Sequence, residues 1–206
     1  MEIKISKSLE DYHNSINFME SHVNKMIYGD QKDLIWLLEY PSIYTYGPLS
    51  KKEDLIEPNK FPVISTKRGG QYTYHGPGQR IVYLMVNIKN NSKDVRKFIL
   101  LIESIIIKSL RRIGLEAENN NRHHGIFINK GDKLYKIASV GMKFKKWISY
   151  HGFSLNINPQ LENYKGIRPC GLNNDMVTSI TKEGIIIEKK IIDDILIEEI
   201  KNHLSQ

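Results

Sequence analysis

Between Asp94 and Ile113 the apolar residues fall at Phe98, Ile102, Ile105, Ile106, Leu110 and Ile113, one stripe of an α-helix. Arg111 and Arg112 stand in its last turn, where cations suit the negative end of the helix dipole, and Gly114 is a natural residue to end it. A helix striped on one side must bury that side against something, and on either side of it the period changes. DLIWLLEY at 33–40, PVIST at 62–66 and IVYLMVNIK at 81–89 read as strands, the last apolar on both faces. Downstream, residues 125–128, 134–142 and 147–157 read as three strands in hairpin order. In the last, Trp147, Ser149, His151, Phe153, Leu155 and Ile157 share one face by period-two alternation. MVTSI at 176–180 is a further strand, and helices are expected from Leu9 to about Met26 and from about Asp193 to Leu204. Grouped strands with few helices predict an α+β fold: mixed, largely antiparallel sheets with flanking helices. No linker or repeat interrupts the 206 residues, so the whole chain is expected to be one domain.

Lys and Arg number 30 against 23 Asp and Glu, a net charge of +7. Only seven of the basic residues are Arg, and the lysines are spread along the whole length without interleaved aromatics. That pattern does not grip a phosphate backbone, so nucleic acid is not the expected partner. The first ten residues include acids and lack an apolar core, unlike a signal peptide. No apolar run approaches the roughly 18 residues of a membrane span, so no membrane is expected. A single cysteine cannot close an intramolecular disulfide. A cytoplasmic protein is the expectation.

Three stretches carry chemistry. KRGGQYTYHGPGQ, from Lys67 to Gln79, packs four glycines and a proline into thirteen residues, with Arg68, Tyr72, Tyr74 and His75 interleaved. Such a segment either turns tightly between strands over buried aromatics or brings its backbone close to a ligand. It is neither a phosphate loop ending in Gly-Lys-Ser/Thr nor a dinucleotide fingerprint followed by a helix. In KIASVGMKF, Lys136 shares its strand face with Leu134, Ala138, Val140 and Met142. Its stem could run to the strand edge and free the ammonium. A buried lysine, in contrast, is suited to act as a base or to support a thiolate. GIRPCG holds the only cysteine, Cys170, between Pro169 and Gly171. A free cysteine can be a small core residue, but a tight turn presents a side chain rather than packing it, and a nearby cation would promote the thiolate. Lys136 is the candidate cation and Arg168 the weaker one. The histidines show no metal-ligand spacing, and the His123–His124 pair on an Asn-rich stretch reads as solvated.

The three motifs, RGGQYTYHGPGQ, KIASVGMKFKKWISYHGFSLNIN and GIRPCG, in this order and at these separations, resemble the lipoyl(octanoyl) transferase family. The resemblance covers most of the chain, from about Asp33 to Ile180. It implies a fold similar to the catalytic domains of biotin and lipoate protein ligases. It implies octanoyl transfer, in lipoate biosynthesis, from octanoyl-acyl-carrier-protein to a lysine of lipoyl domains, those of the 2-oxoacid dehydrogenases and the glycine cleavage H protein. It assigns catalysis to a cysteine that takes the acyl chain as a thioester, here Cys170, and to a lysine that promotes its thiolate, here Lys136. The acyl-binding segments fall on Arg68, Gly69, Gly70, Gln71, Tyr72, Thr73, Tyr74 and His75, on Ser139, Val140 and Gly141, and on Gly152, Phe153 and Ser154. The small residues Gly141, Gly152 and Ser154 are expected to leave room for an eight-carbon chain. No cofactor is implied, since exchange of one thioester for another and then for an amide runs without ATP. The nearest alternative is an ATP-dependent lipoate or octanoate ligase on the same scaffold, for which Cys170 would be dispensable. An octanoyl-recognising module without turnover would keep the pocket and tolerate loss of Lys136.

Overall fold

The computed structural model describes residues 1–89, 93–120, 125–168 and 176–204. In chain order the elements are β1 (Glu2–Ile5), α1 (Tyr12–Ile27), β2 (Leu34–Leu38), β3 (Ile43–Tyr46), β4 (Val63–Ser65), β5 (Thr73–His75), β6 (Gln79–Met85), α2 (Val95–Arg112), β7 (Glu118–Asn119), β8 (Ile126–Lys130), β9 (Lys133–Lys145), β10 (Ile148–Asn156) and α3 (Lys189–Leu204). Short 3-10 turns occupy Lys52–Asp54 and Leu161–Gly166. Among the described residues the main sheet runs β1-β2-β6-β10-β9-β8-β7, and a smaller one β4-β3-β5. Among the described strands, only β1–β2 and β3–β4 pair parallel. The α+β expectation, mixed and largely antiparallel with flanking helices, is therefore met.

The apolar runs are buried on both faces because the main sheet is covered on both. Ile35 and Leu37 of β2 and Val82 and Leu84 of β6 join a core with Phe98, Ile102 and Ile106 of α2 and Leu196 of α3. Their neighbours Trp36, Leu38, Tyr83 and Met85 face the other way, against Tyr12, Met19 and Val23 of α1. A third cluster of Tyr44, Tyr72, Tyr74 and Tyr164 lies under the small sheet. Burial of each large apolar side chain contributes roughly 1.5–3 kcal/mol, so the helices are held by these faces more than by propensity.

Helix α2 begins and ends where the sequence places it. Asp94 caps it by accepting from the backbone N–H groups of Arg96 and Lys97. At its end Gly114 takes φ +81°, and the N–H groups of Gly114 and Leu115 return to the carbonyls of Arg111 and Leu110. This is a Schellman closure.

Other expectations need correction. Strands β1, β3, β5 and β7 were not foreseen, β6 occupies 79–85 rather than 81–89, and α3 starts four residues before Asp193. MVTSI at 176–180 is not a regular strand: Val177 makes a single parallel bridge to Lys136, and the stretch then follows the end of β10 through Ile180 N–H to Asn156 O. Trp147 is not on a strand face but in the two-residue turn between β9 and β10, where Lys146 and Trp147 both have positive φ, 48° and 67°. That is the type I′ geometry whose twist matches a hairpin. The period-two alternation breaks at His151, whose φ is 58°. Its ring meets Tyr83 and its N–H meets Met19 Sδ, both on the α1 side, away from Phe153 and Leu155.

One buried ion cluster fastens α3 to the sheet. Arg80 of β6 donates from Nε and Nη2 to the two carboxylate oxygens of Asp193, at 2.8 and 2.6 Å. Glu39, 3.8 Å from Arg80, also accepts from Gly78 N–H and from Lys189. Burial raises the Asp193 carboxyl above its usual range despite Arg80, so desolvation outweighs the pairing. Removing one partner is thus expected to cost more than removing both. Asp193→Asn should destabilise by about 3–5 kcal/mol in a denaturant titration, and Arg80→Met with Asp193→Leu should recover most of it. At the hairpin, Lys146→Asn with Trp147→Gly should raise stability by about 1–2 kcal/mol in the same titration, since both positions hold side chains in the left-handed region.

Candidate active site

Where β9 and β10 pass beneath the glycine-rich segment, a cavity of about 470 Å³ opens between the sheets. That volume lies in the range of roughly 300–1,000 Å³ usual for small-molecule sites. Leu49, Ile81, Ile99, Val140, Met142 and Phe153 supply its apolar lining, and Leu49 is an exposed side chain at its edge. Among the described residues no group of three His, Cys, Asp or Glu is placed to hold a metal ion.

Lys136 lines this cavity and is 3% exposed. Three features set it there. First, adjacent residues of β8, Ile126 and Phe127, pair with Ala138 and Lys136, leaving Ile137 as an extra residue in β9. Such a bulge re-aims side chains along a strand. Second, Lys136 N–H donates to Met176 O at 3.0 Å and Lys136 O accepts from Thr178 N–H at 2.9 Å. The returning chain thus satisfies the backbone on one side of the lysine. Third, the ammonium lies 5.7 Å from the centre of the Phe127 ring, over its face. Gly125, at φ +126°, leaves it space: a Cβ there would fall 2.6 Å from Lys136 Cε.

Arg68 organises the glycine-rich segment. Its Nη1 donates to Gly69 O and its Nη2 to Gln71 O, Thr45 O and Thr45 Oγ1, at 2.9–3.0 Å. A buried guanidinium bonded to its own loop's carbonyls fixes that loop's path and places a positive charge at the cavity wall. Gly47 is pressed against the same loop, since a Cβ there would lie 2.4 Å from Gly70 O. Both glycines of the β9–β10 pair line the cavity and also allow close backbone contact. At Gly152 a Cβ would meet Val82 O at 2.0 Å, and at Gly141 it would meet Gly69 O at 3.3 Å.

The polar wall opposite sets the Arg68 charge beside His75, His151, Tyr12 and Tyr83, which burial keeps uncharged. Burial, reinforced by the Arg68 charge, holds His151 down to about 3. His75 is lowered to about 4, chiefly by burial and also by Arg68, against a bond to Gln79 that favours its charged form. Tyr12 is pushed up to about 12 by burial, and Tyr83 is raised well above its usual range. Tyr83 and Tyr40 share a hydrogen bond of 2.8 Å between hydroxyls.

Of the residues singled out in the sequence, Arg68, Gly69, Gly70, Gln71, Tyr72, Thr73, His75, Lys136, Ser139, Val140, Gly141, Gly152, Phe153 and Ser154 all line the cavity. Tyr74 does not. As the middle residue of β5 it points into the tyrosine cluster, where its hydroxyl accepts from Asn163 Nδ2 at 2.9 Å. Cys170 and the His123–His124 pair lie outside the described residues. Tyr12, Tyr83, Glu103 and His151 also line the cavity without having been picked out for it. For His151 the SYHG sequence, a bulky residue before a glycine in a strand, is the one available signal.

The lipoyl protein ligase A/B catalytic-domain family matches residues 11–206. The chain is 41% identical over 196 residues to an octanoyltransferase of Wolbachia pipientis subsp. Culex pipiens, covering 95% of each. It is 40% identical over 206 residues to an octanoyltransferase of Ehrlichia chaffeensis, covering 100% of this chain and 96% of the relative. Among solved structures it is similar to lipoate-protein ligase A bound with ATP, with a TM-score of 0.79 at 16% identity, over 100% of this chain and 86% of that one. The biotin protein ligase of Aquifex aeolicus gives 0.54 at 10% identity, over 100% and 69%. At these identities the solved structures show the fold alone. Sequence likeness over nearly the full length of its relatives settles the assignment: the chain belongs to the lipoyl(octanoyl) transferase family and is a transferase enzyme built on the lipoyl protein ligase A/B catalytic domain.

Proposed function

We propose that the 206 residues act as one octanoyltransferase domain, which moves an octanoyl group from octanoyl-acyl-carrier-protein to a lysine of a lipoyl domain through a thioester on Cys170. The observation that carries this reading is Lys136: a lysine buried in the wall of a largely apolar cavity, on a strand whose backbone is gripped by the stretch that follows the cysteine segment. The octanoyltransferase relatives supply the acyl group and the reaction class. A bipartite lipoate protein ligase of Thermoplasma acidophilum, described with its E2 lipoyl domain, shares the fold at a TM-score of 0.73 and points to the same kind of acceptor.

The chemistry balances without a cofactor. Lys136 takes the proton of the Cys170 thiol, and the thiolate attacks the carrier's thioester carbonyl. The new C–S bond forms as the old one breaks, and the carrier thiolate leaves with the proton that Lys136 held. In the second half the acceptor lysine, as the free amine, attacks the Cys170 thioester. Lys136 accepts the amine's proton and returns it to the departing cysteine sulfur, leaving an amide. The first step is nearly neutral in free energy, and the second runs downhill.

Incubation of the protein with octanoyl-acyl-carrier-protein, without ATP, should give an intact-mass increase of one octanoyl group on Cys170 that moves to added lipoyl domain. Cys170→Ser should abolish the adduct, and Lys136→Met should slow its formation by about a hundredfold or more. Activity only with free octanoate and ATP, retained in Cys170→Ser, would make the enzyme a ligase. The neutral histidines generate a separate expectation. Their folded-state values, about 4 and about 3, lie below the usual 6.5, so the unfolded chain binds more protons between these limits. Their contribution is complete above about pH 6.5 and is lost as pH falls towards 4 and then 3. Thermal unfolding midpoints should therefore drop across that window, and His75→Asn should make the drop shallower.

A further inference from the structure

His75 lines the cavity, Gln79 and Asn156 are buried polar side chains bonded in series behind it, and their hydrogen bonds have only one consistent set of directions. Asn156 Nδ2 donates to Thr178 O at 2.9 Å, since a backbone carbonyl can only accept. Asn156 Oδ1 is therefore the acceptor, and it receives Gln79 Nε2 at 2.9 Å and the Tyr164 hydroxyl at 3.1 Å. Gln79 Nε2 also donates to the Tyr164 hydroxyl at 2.8 Å and lies 3.2 Å from Tyr74 O; with Asn156 Oδ1 and a backbone carbonyl both acceptors only, the amide is fixed against a flip. Gln79 Oε1 is left to face His75 Nδ1 at 2.7 Å. An amide oxygen cannot donate, so Nδ1 must carry the imidazole proton. His75 is uncharged near neutral pH, so Nε2 keeps its lone pair. His75 lines the cavity, and no bond to Nε2 is made among the described residues.

The same chain of bonds continues to the lysine. Thr178, whose carbonyl orients Asn156, donates its N–H to Lys136 O at 2.9 Å. One run of hydrogen bonds thus links the backbone of Lys136 to the ring of His75 on the opposite wall.

We propose that Gln79 is a positioning residue that locks His75 in the Nδ1–H form, so that Nε2 is presented to the cavity as a hydrogen-bond acceptor for the attacking amine. The inference deepens the transferase reading and rests on it. Its selectivity follows from the donors available in each half of the reaction. The carrier thioester has only acceptors at its reacting centre, the carbonyl oxygen and the sulfur. The acceptor lysine brings N–H bonds. The one donor of the first half, the Cys170 thiol, gives its proton to Lys136, so a further lone pair held in the site favours the amine step and adds little to the thioester step. Gln79 is fully buried beneath His75 and touches the substrate only through it.

The test is a long-range ¹H–¹⁵N spectrum of histidine-labelled full-length protein at neutral pH, with His75 assigned by its loss in His75→Asn. The expected result is a protonated Nδ1 and an unprotonated Nε2. Gln79→Met should scramble that pattern and slow octanoyl transfer from the acylated enzyme to lipoyl domain by about tenfold, the worth of one hydrogen bond. Acylation by the octanoyl carrier should change less than about threefold. A protonated Nε2 in the wild type would overturn the proposal, and so would equal slowing of both halves in Gln79→Met. The wild-type spectrum stands even if that variant does not fold. Failure of the wild-type protein to become acylated would instead overturn the transferase reading, leaving the spectrum to be judged by itself.

Discussion

The pair of backbone hydrogen bonds between Lys136 and residues 176 and 178 is the contact on which the site depends. Strand β10 pairs with β9 only as far as Ala138. Beyond it, the backbone of Lys136 would face the interior without partners on that side, at a cost of about 1–3 kcal/mol for each unsatisfied group. Met176 and Thr178 take the place of β10 there, and the chain then runs on along the end of β10 itself. A lysine can be buried here because its peptide groups are already satisfied. The bulge at Ile137 then decides where the side chain points.

On the facing side, Arg68 performs the equivalent service for a segment with almost no side chains to hold it. A glycine-rich loop has a high conformational entropy to lose, and a rigid fork of donors on its carbonyls offsets that loss. The guanidinium does more than fasten. Burial dominates at Tyr12, His75, Tyr83 and His151, and the Arg68 charge acts on all four, opposing the rise of both hydroxyls and reinforcing the neutrality of both imidazoles. A wall with a fixed positive charge beside oriented neutral groups suits the proton transfers proposed for the site.

Helix α2 and the β8–β9–β10 hairpins were legible because their signals are local. A stripe, a cap and a terminal glycine define the one, and alternation with intervening turns defines the others. Lys136 was legible as a cation among apolar neighbours on its own strand. Strands β3 and β5 were not, because each is only three or four residues long and owes its place to ring contacts and hydrogen bonds with residues some 30 to 120 positions away, such as Tyr44 with the Tyr74 ring and with Asn163 O. The flip at His151 depends on a backbone angle that no residue type demands. Tyr12 of α1 and Tyr83 of β6 reach the cavity from one shared cluster, and nothing within either segment foretells the meeting. At Gly152 the residue was legible, but its cause was not: what a side chain would strike there is the carbonyl of a strand seventy positions earlier.

The stretch that grips Lys136 also has a consequence for how the chain is made. Met176 and Thr178 come some 40 positions after Lys136, beyond β10, and the chain leads on from them to α3, which Arg80 draws in from β6. During synthesis, strands β1 through β10 can emerge and pair while the lysine's peptide groups are still open to water. The proposed site is therefore completed only after β10 has paired. Until residues 176–180 dock, the sheet can be in place while the cavity wall around Lys136 stays open.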